Sequence, residues 1–392
     1  MKGKWNLGLI IFSIAVIAGI ILKISPLSLL KNIILATIDP VTLELFAIII
    51  LVIFLSNLLQ EKGNLKNIVI SLETFIKNPR LSLTIPSAFI GLLPMPAGAL
   101  FSAPIVEESS RNLKISTERK TFLNYWFRHI WEYTWPLYPG LILTAAILNI
   151  PIREIMFVQS PLTLTAIFAG FLFGTRKISF SQNLASEKKE KDVFQGIIGF
   201  IINMWPILAI IFLVLIFKIE LILALLIITG IFLATGKIKG GKITRAIRKS
   251  FSWEMLFLIA SIMIFKRIFK ITPLFSVIPI FFKDLGISPL ILLFFTPFFI
   301  GFLTGLTVAF VGITFPLLLP LIYQSQNGPN LAYVMFAYAG GFAGVLLSPT
   351  HLCLVVTIQY FKANLKKIYK MLLFPVTFVV LIALALVLIN QL

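Results

Sequence analysis

The chain divides into long apolar blocks separated by short polar ones. Most of the apolar blocks approach or exceed the roughly 20 residues that carry a helix across the hydrocarbon core of a bilayer. We therefore predict an all-α polytopic membrane protein with about nine transmembrane spans. The predicted spans cover 5–22, 32–59, 121–149, 157–175, 194–217, 219–236, 252–266, 331–361 and 371–390.

Two further apolar stretches, 82–106 and 287–322, contain breaks that an uninterrupted helix does not tolerate. The first contains LLPMPAGALFSAP, in which three prolines and a glycine interrupt the apolar run. The second contains AFVGITFP, which repeats the order of alanine, hydroxyl residue and proline found in AGALFSAP. We interpret both stretches as re-entrant helical hairpins. Interrupted segments at corresponding places in two halves of a membrane chain indicate a transporter's substrate site.

Shorter polar segments connect these blocks. The segments 61–80 and 266–283 mix charged and apolar residues at helical spacing, which is typical of helices that lie in the membrane interface. The segment 176–192 is the most polar part of the chain, and 362–370 is basic. Both are expected to be solvated loops.

Composition supports the membrane assignment and excludes other classes. The 392 residues are 59% hydrophobic and 12% charged, with a mean hydropathy of +1.01. The net charge of +19 does not indicate nucleic acid, because the basic residues lie in short loops between apolar spans. Their distribution predicts a cell-membrane protein with a cytoplasmic N-terminus and an external C-terminus. Cys353 is the only cysteine, which excludes an internal disulfide.

The predicted elements follow the same order in both halves of the chain: span, span, hairpin, broken span, span. A single connecting span between the halves inverts the second copy. We therefore predict a first repeat at 1–175 with a cytoplasm-facing hairpin. A linker loop and connecting span follow at 176–218, and an inverted second repeat with an outward-facing hairpin occupies 219–392.

Three motifs give the chain a family resemblance: LLPMPAGALFSAP, NYWFRHIWEYTWPLYPG and GVLLSPTHLCLVVT. They resemble an archaeal and bacterial membrane family of unknown function that is grouped with the ion-transporter superfamily. That superfamily includes sodium-coupled dicarboxylate, citrate and gluconate carriers. The resemblance implies paired re-entrant hairpins, broken helices, a homodimer and an elevator-like motion.

Residues at the hairpin tips and helix breaks are the first candidates for a site, because irregular backbone inside a membrane must line a cavity or be buried in protein. The alternative is that glycine and proline only kink packed helices, with hydroxyls bonded to their own helix. The predicted substrate-binding residues of this type are Pro94, Pro96, Ala97, Gly98, Ser102, Thr304, Gly305, Thr307, Thr314, Ser348 and Thr350.

Ionisable residues within the spans are the second set of candidates. Arg128, His129 and Glu132 are spaced so that one helix face can carry all three. We expect Arg128 to bind a substrate anion, and Glu132 with His129 to couple an ion. The alternative is an Arg128–Glu132 pair that joins two spans. His351 follows the second break and is expected to bind substrate, or to be a packing histidine.

No cofactor or metal is expected. Two histidines without an accompanying acidic or cysteine cluster do not indicate zinc, and no phosphate-binding G-x-x-x-x-G-K-[ST] motif occurs. The leading hypothesis is a secondary active transporter of a small anionic organic solute, coupled to H⁺ or Na⁺. Its partners would be the solute and the lipid bilayer, and not nucleic acid. The alternatives are an intramembrane enzyme acting on a lipid-linked substrate, and a lipid flippase or channel.

Overall fold

The described part of the chain is mostly helical in the computed structural model. The described part is residues 6–389 without 77, 96–97, 112, 177, 179–189, 237, 274–276, 278–279, 282–283 and 324–327. No strand occurs among these residues. The all-α prediction is confirmed.

Ten α-helices form the described part of the chain up to Leu215. They are α1 (Leu7–Ile21), α2 (Pro26–Thr37), α3 (Pro40–Lys62), α4 (Asn64–Phe75), α5 (Pro79–Ile90), α6 (Ala99–Ser109), α7 (Thr117–His129), α8 (Pro139–Leu148), α9 (Ile152–Ala169) and α10 (Glu190–Leu215). A 3₁₀ turn, Ile130–Tyr133, follows α7, and a π-helical segment, Gly170–Thr175, extends α9.

The remaining α-helices form the second part of the chain. They are α11 (Leu221–Thr235), α12 (Gly240–Ser250), α13 (Trp253–Lys270), α14 (Pro289–Thr304), α15 (Thr307–Ile322), α16 (Leu331–Leu347), α17 (Leu352–Phe361) and α18 (Leu365–Ile389).

Several helical segments are long and apolar enough to cross a bilayer. Among the described residues there are five: Pro40–Lys62, Ile152–Thr175, Val193–Leu215, Leu331–Phe361 and Leu365–Ile389. Shorter apolar helices of 10–17 residues accompany them. Large apolar side chains such as Phe194, Ile202 and Phe212 face outward from α10, as expected of a surface in contact with lipid. These features support a membrane-embedded protein.

The predicted breaks are confirmed at both hairpins and both interrupted spans. Within 82–106, α5 and α6 pack against each other across the irregular segment that begins at Gly91. Within 287–322, α14 and α15 pack against each other and only residues 305–306 separate them. The spans predicted at 121–149 and 331–361 each divide into two helices. The helix predicted within 61–80 is also present, as α4.

Three predicted boundaries were wrong, the first two because of a local capping residue. The span predicted at 32–59 begins at Pro40, where Asp39 accepts a hydrogen bond from the N–H of Val41 and Pro40 occupies the first helical turn. The basic loop predicted at 362–370 already belongs to α18 from Leu365, since Asn364 caps the first turn.

The third error concerns 266–283, which was predicted as a separate interfacial segment. α13 continues without interruption to Lys270, and the rest of the segment lies partly outside the described residues. Most of the polar loop predicted at 176–192 also lies outside them.

The two broken helices form the centre of the protein. Every residue from Thr121 to His129 in α7 is buried, and so is every residue from Ala332 to Leu346 in α16. A helix that is enclosed on all sides cannot be amphipathic, which explains the nearly continuous apolar sequence of α16.

Each hairpin packs on a broken helix through a glycine that allows backbone contact. A Cβ atom at Gly91 would lie 2.4 Å from the carbonyl oxygen of Arg128 in α7. A Cβ atom at Gly301 would lie 2.2 Å from the carbonyl oxygen of Gly341 in α16. Such approaches are shorter than van der Waals contact, so only glycine fits at these two positions.

This packing predicts a stability difference between two glycine substitutions. Gly301→Ala should destabilise the protein by about 1–3 kcal/mol, because the new methyl group meets backbone that cannot rotate away. Gly230→Ala in α11 is the matched control, since no atom lies within 4 Å of its added Cβ. Thermal unfolding of both variants in detergent measures the effect. Equal unfolding temperatures for the two variants would contradict the packing described here.

Candidate functional site

The two central helices are interrupted at comparable places. α7 ends at His129, and the 3₁₀ turn Ile130–Tyr133 and a short irregular segment precede α8, which begins at Pro139. α16 is separated from α17 by residues 348–351, which include Pro349. Proline has no N–H to donate and disfavours helical backbone in the residue before it, so both interruptions follow from the sequence.

The helices that follow the breaks have the same local structure. α8 and α17 are each ten residues long and each end in a left-handed residue, Asn149 (φ 53°) and Lys362 (φ 53°). These residues lie 213 positions apart (362 minus 149). Thr144 and Thr357 are also 213 positions apart, and each hydroxyl donates to the carbonyl four residues earlier. Several features that follow the two breaks therefore share a spacing of 213 residues.

Two tyrosines at the same spacing connect the halves. The Tyr125 hydroxyl donates to the carbonyl oxygen of Leu346 at 3.0 Å. The Tyr338 hydroxyl donates to the carbonyl oxygen of Glu132 at 2.9 Å. Carbonyl groups at a helix end have no partner within the helix, and burial without a partner is costly. Each tyrosine thus satisfies a carbonyl group that the break in the opposite half releases.

A third pair at this spacing ties the hairpins to the breaks. The Tyr138 hydroxyl donates to the carbonyl oxygen of Gly91 at 2.5 Å, where the first hairpin turns. His351, 213 positions later, contacts the carbonyl oxygen of Gly305 through Nδ1 at 2.8 Å. Gly305 has φ +66° and forms the turn of the second hairpin. Both hairpin tips therefore meet the residues that follow the breaks.

The two histidines contact each other across the halves. His129 Nε2 lies 3.0 Å from His351 Nε2, and both side chains are buried. His129 Nδ1 lies 2.6 Å from the carbonyl oxygen of Tyr125. The Cys353 sulfur joins them, since the nitrogen and sulfur donor atoms of these three residues all lie within 4.8 Å of one another. We call His129, His351 and Cys353 the histidine–cysteine cluster.

A carboxylate lies beside the histidine–cysteine cluster. Glu132 Oε1 is 3.7 Å from His129 Nε2, and Glu132 is 7% exposed. The void next to His129 has no room for a water molecule and is lined by Trp126, His129, Ile130, Tyr133, Ala166 and Leu346. The cluster is therefore closed to solvent in this conformation.

Arg128 points away from the cluster and towards the first hairpin. Its terminal nitrogens contact the carbonyl oxygens of Gly91, Leu93 and Met95, and one donates to the Tyr138 hydroxyl at 2.6 Å. The predicted shared face with Glu132 was wrong, because the α-helix ends at His129 and a 3₁₀ turn redirects the chain. An Arg128–Glu132 ion pair does not occur among the described contacts.

One donor of Arg128 has no partner. Its Nε is buried and makes no hydrogen bond to the described residues. The guanidinium lies against Gly98, where an added Cβ would be 2.8 Å from Nε. Gly98 is the N-cap residue of α6, whose first turn has no side-chain cap. A buried positive charge and the free end of a helix therefore meet at the first hairpin.

The other predicted residues differ in the contacts that they make. The hydroxyls of Ser102, Thr304 and Thr314 donate to carbonyls of their own helices, as the alternative reading anticipated. Ser348 and Thr350 contact each other through their hydroxyls at 2.9 Å in the second break. The side chain of Thr307 lies close to Gly140. Pro94 lies in the irregular part of the first hairpin, and Pro96 and Ala97 fall outside the described residues.

Four residues of this region were not predicted. Tyr125, Tyr138 and Tyr338 were hidden among other aromatic residues, although their spacing of 213 is a signal that aligning the two halves would have found. Cys353 was noted only as a lone cysteine. Its position two residues after His351 gave a local signal, but the approach of His129 depends on how the halves pack.

A larger cavity lies elsewhere. Its volume is about 450 Å³, and it lies between the ends of α3, α8, α10 and α11. Glu44, Arg153, Lys218 and Glu220 contribute the charged part of its lining. The lining does not include the histidine–cysteine cluster or Arg128. Charged side chains at helix ends are ordinarily hydrated, so this cavity does not by itself indicate a solute site.

The comparison with known families matches nearly the whole chain. Residues 1–389 match the model of DUF401, described as a protein of unknown function. The chain belongs to the DUF401 family. No curated protein matches it. The family description assigns no activity, so function has to be argued from the site.

The reciprocal tyrosine bonds generate a testable prediction. Tyr338→Phe should destabilise the protein by about 1–3 kcal/mol, because the buried Glu132 carbonyl loses its partner. Tyr360→Phe is the control, since Tyr360 is 41% exposed. The difference in unfolding temperature between these variants measures the contribution. A Tyr338→Phe protein as stable as the control would show that the bond does not stabilise the break.

Proposed function

We propose that this DUF401 protein is a secondary active transporter of a small anionic organic solute in the cell membrane. The observation that carries the proposal is the unpaired Nε–H of buried Arg128 beside the first turn of α6. We further propose that the chain is a carrier and not an enzyme. It would belong, with the sodium-coupled carriers it resembles, to the ion-transporter superfamily.

The charge on Arg128 supports an anionic solute. The contacts of the guanidinium are neutral oxygens, three carbonyls and a hydroxyl, which orient it without cancelling its charge. An uncompensated charge costs at least about 2.5–3.5 kcal/mol at the centre of a bilayer on insertion scales. A carboxylate or similar anion bound at Nε would offset this cost. The positive end of α6 would stabilise the same anion.

The correspondence between the halves supports alternating access. The matched pairs at a spacing of 213 fit two repeats, at 1–175 and 219–392, whose hairpins and broken helices surround one central region. Transporters built from inverted repeats expose such a region to each side in turn. We propose that the two repeats are inverted and that the hairpins move in an elevator-like manner.

The contacts at the hairpin tips are suited to such a motion. Tyr138 contributes one hydrogen bond to the first tip, beside the carbonyl contacts of Arg128, and His351 contributes one to the second tip. A typical hydrogen bond contributes only about 0.5–1.5 kcal/mol net. A bound solute could therefore change the balance between closed and open tips, provided that it binds one conformation more tightly.

Coupling to an ion gradient completes the proposal. The chain has no nucleotide-binding motif, so we propose that H⁺ or Na⁺ drives uphill transport. Glu132, beside His129, is the proposed ion-coupling carboxylate because it is buried between the two halves. We also propose a homodimer with a cytoplasmic N-terminus and an external C-terminus.

The anion site can be tested by thermal shift. A screen of small organic acids against purified protein should find ligands that raise the unfolding temperature. A ligand present at roughly 100 times its Kd stabilises the folded protein by about 2.7 kcal/mol. Arg128→Gln and the charge-conserving Arg128→Lys should both reduce the shift. Arg245→Gln is the control, because Arg245 lies on the surface beside Glu61. An unchanged shift in both Arg128 variants would remove Arg128 from the site.

Transport itself can be tested in reconstituted vesicles. The wild-type protein should accumulate the stabilising anion when an inward H⁺ or Na⁺ gradient is imposed. Glu132→Gln should bind the anion but lose the dependence of uptake on the gradient, because the cation loses its counter-charge. Glu254→Gln removes an exposed carboxylate of α13 and should behave like wild type.

Two results would count against these assignments. If no gradient drives uptake of any stabilising anion, the carrier proposal is wrong. If Glu132→Gln retains the full gradient dependence, another group couples the ion.

A further inference from the structure

The contact between His129 and His351 has an unusual consequence for their nitrogen atoms. Each Nδ1 faces a backbone carbonyl oxygen, at 2.6 Å for His129 and 2.8 Å for His351. A carbonyl oxygen can only accept, so the hydrogen of each neutral ring must be on Nδ1. Both Nε2 atoms then carry lone pairs, yet they lie 3.0 Å apart. Two acceptors that face each other at this distance require a cation between or beside them.

A third soft donor is present at the same place. The Cys353 sulfur and the histidine nitrogens lie within 4.8 Å of one another, and all three residues are at least nine-tenths buried. The expectation that no metal binds rested on two histidines without an accompanying acidic or cysteine cluster. The fold supplies both, since Cys353 completes the cluster and Glu132 lies beside it. The fold therefore removes the basis for expecting no metal.

We propose that His129 Nε2, His351 Nε2 and Cys353 Sγ bind a divalent transition-metal ion with the ligand preference of Zn²⁺. Imidazole and thiolate are the donors that such ions select. Tetrahedral coordination with Zn–N bonds of about 2.0–2.1 Å places two ligand nitrogens about 3.3 Å apart. The observed separation of 3.0 Å needs an adjustment of only a few tenths of an ångström.

The surroundings of the cluster are those of a metal site. Histidines that bind metals usually donate their other N–H to a carbonyl or carboxylate, which fixes the ring orientation. Both histidines do so here, to Tyr125 and Gly305. The charges also balance, because a dication with the Cys353 thiolate and the Glu132 carboxylate is neutral. A neutral assembly suits a site enclosed within a membrane protein.

The proposed ion would connect the two halves of the protein. His129 ends α7, whereas His351 and Cys353 belong to the second break and the start of α17. His351 also contacts Gly305, so the ion would hold the tip of the second hairpin against α7. This inference is separate from the Arg128 anion site and does not require that the protein transports anything.

Cobalt substitution tests the proposal directly. Full-length protein purified in detergent is stripped with a chelator and titrated with Co²⁺ or Zn²⁺. We expect one ion per chain by elemental analysis, visible d–d bands of tetrahedral Co²⁺, and a near-ultraviolet thiolate-to-cobalt band. Because the chain has one cysteine, that band can arise only from Cys353. Excess Zn²⁺ should displace the cobalt and abolish all of these bands.

Three variants separate ligation from folding. Cys353→Ser should lose the thiolate band, and His351→Gln should reduce bound metal to less than a tenth of the wild-type amount. Glu254→Gln should bind metal like wild type. Size-exclusion profiles identify variants that fail to fold. If a variant fails to fold, the thiolate band of the wild-type protein and its loss on adding excess Zn²⁺ still test whether Cys353 is a ligand.

The proposal is wrong if stripped wild-type protein takes up no stoichiometric metal. It is also wrong if bound cobalt shows no thiolate band. In either case a shared proton, and not a metal ion, would occupy the space between the two Nε2 atoms. A His351→Gln protein that loses metal binding but still takes up the anion would support the metal site and leave the transport proposal unaffected.

Discussion

The requirement that every backbone polar group inside a membrane find a partner governs the centre of this protein. Breaks in α7 and α16 release carbonyl groups at a depth where lipid offers no hydrogen bonds. Tyr125 and Tyr338 satisfy them from the opposite half, at 3.0 and 2.9 Å. Each half thus depends on the other for hydrogen bonds that it cannot make alone. The breaks can exist only because the two halves are packed together.

The same requirement explains why the polar side chains are concentrated in so few places. Asn124 donates to the Ala99 carbonyl at 2.9 Å and accepts from the Ser87 hydroxyl at 3.1 Å, so one side chain joins both arms of the first hairpin to α7. Arg128 holds the turn between those arms. Apolar packing places the hairpins against the broken helices, and these few bonds fix the positions of their tips.

The sequence was sufficient to predict the breaks but not what meets at them. Proline and glycine act locally, so the interruptions near Pro139 and Pro349 could be located without a structure. The placement of Arg128 on one face with Glu132 assumed α-helical geometry beyond His129, where a 3₁₀ turn begins. The approach of His129 to a histidine and a cysteine more than 200 positions later depends on tertiary packing, which periodicity does not report.

The end of α7 places opposite kinds of chemistry on consecutive residues. Arg128 reaches into the first hairpin with an unpaired positive donor, whereas the Nε2 atom of His129 faces His351 of the second half. These two adjacent residues therefore connect a region suited to an anion with a region suited to a cation. Any movement of the first hairpin that displaces Arg128 must also strain the helix end that positions His129, since packed helix ends do not deform independently. Mechanical linkage of this kind would allow anion occupancy on one side of α7 to influence cation occupancy on the other.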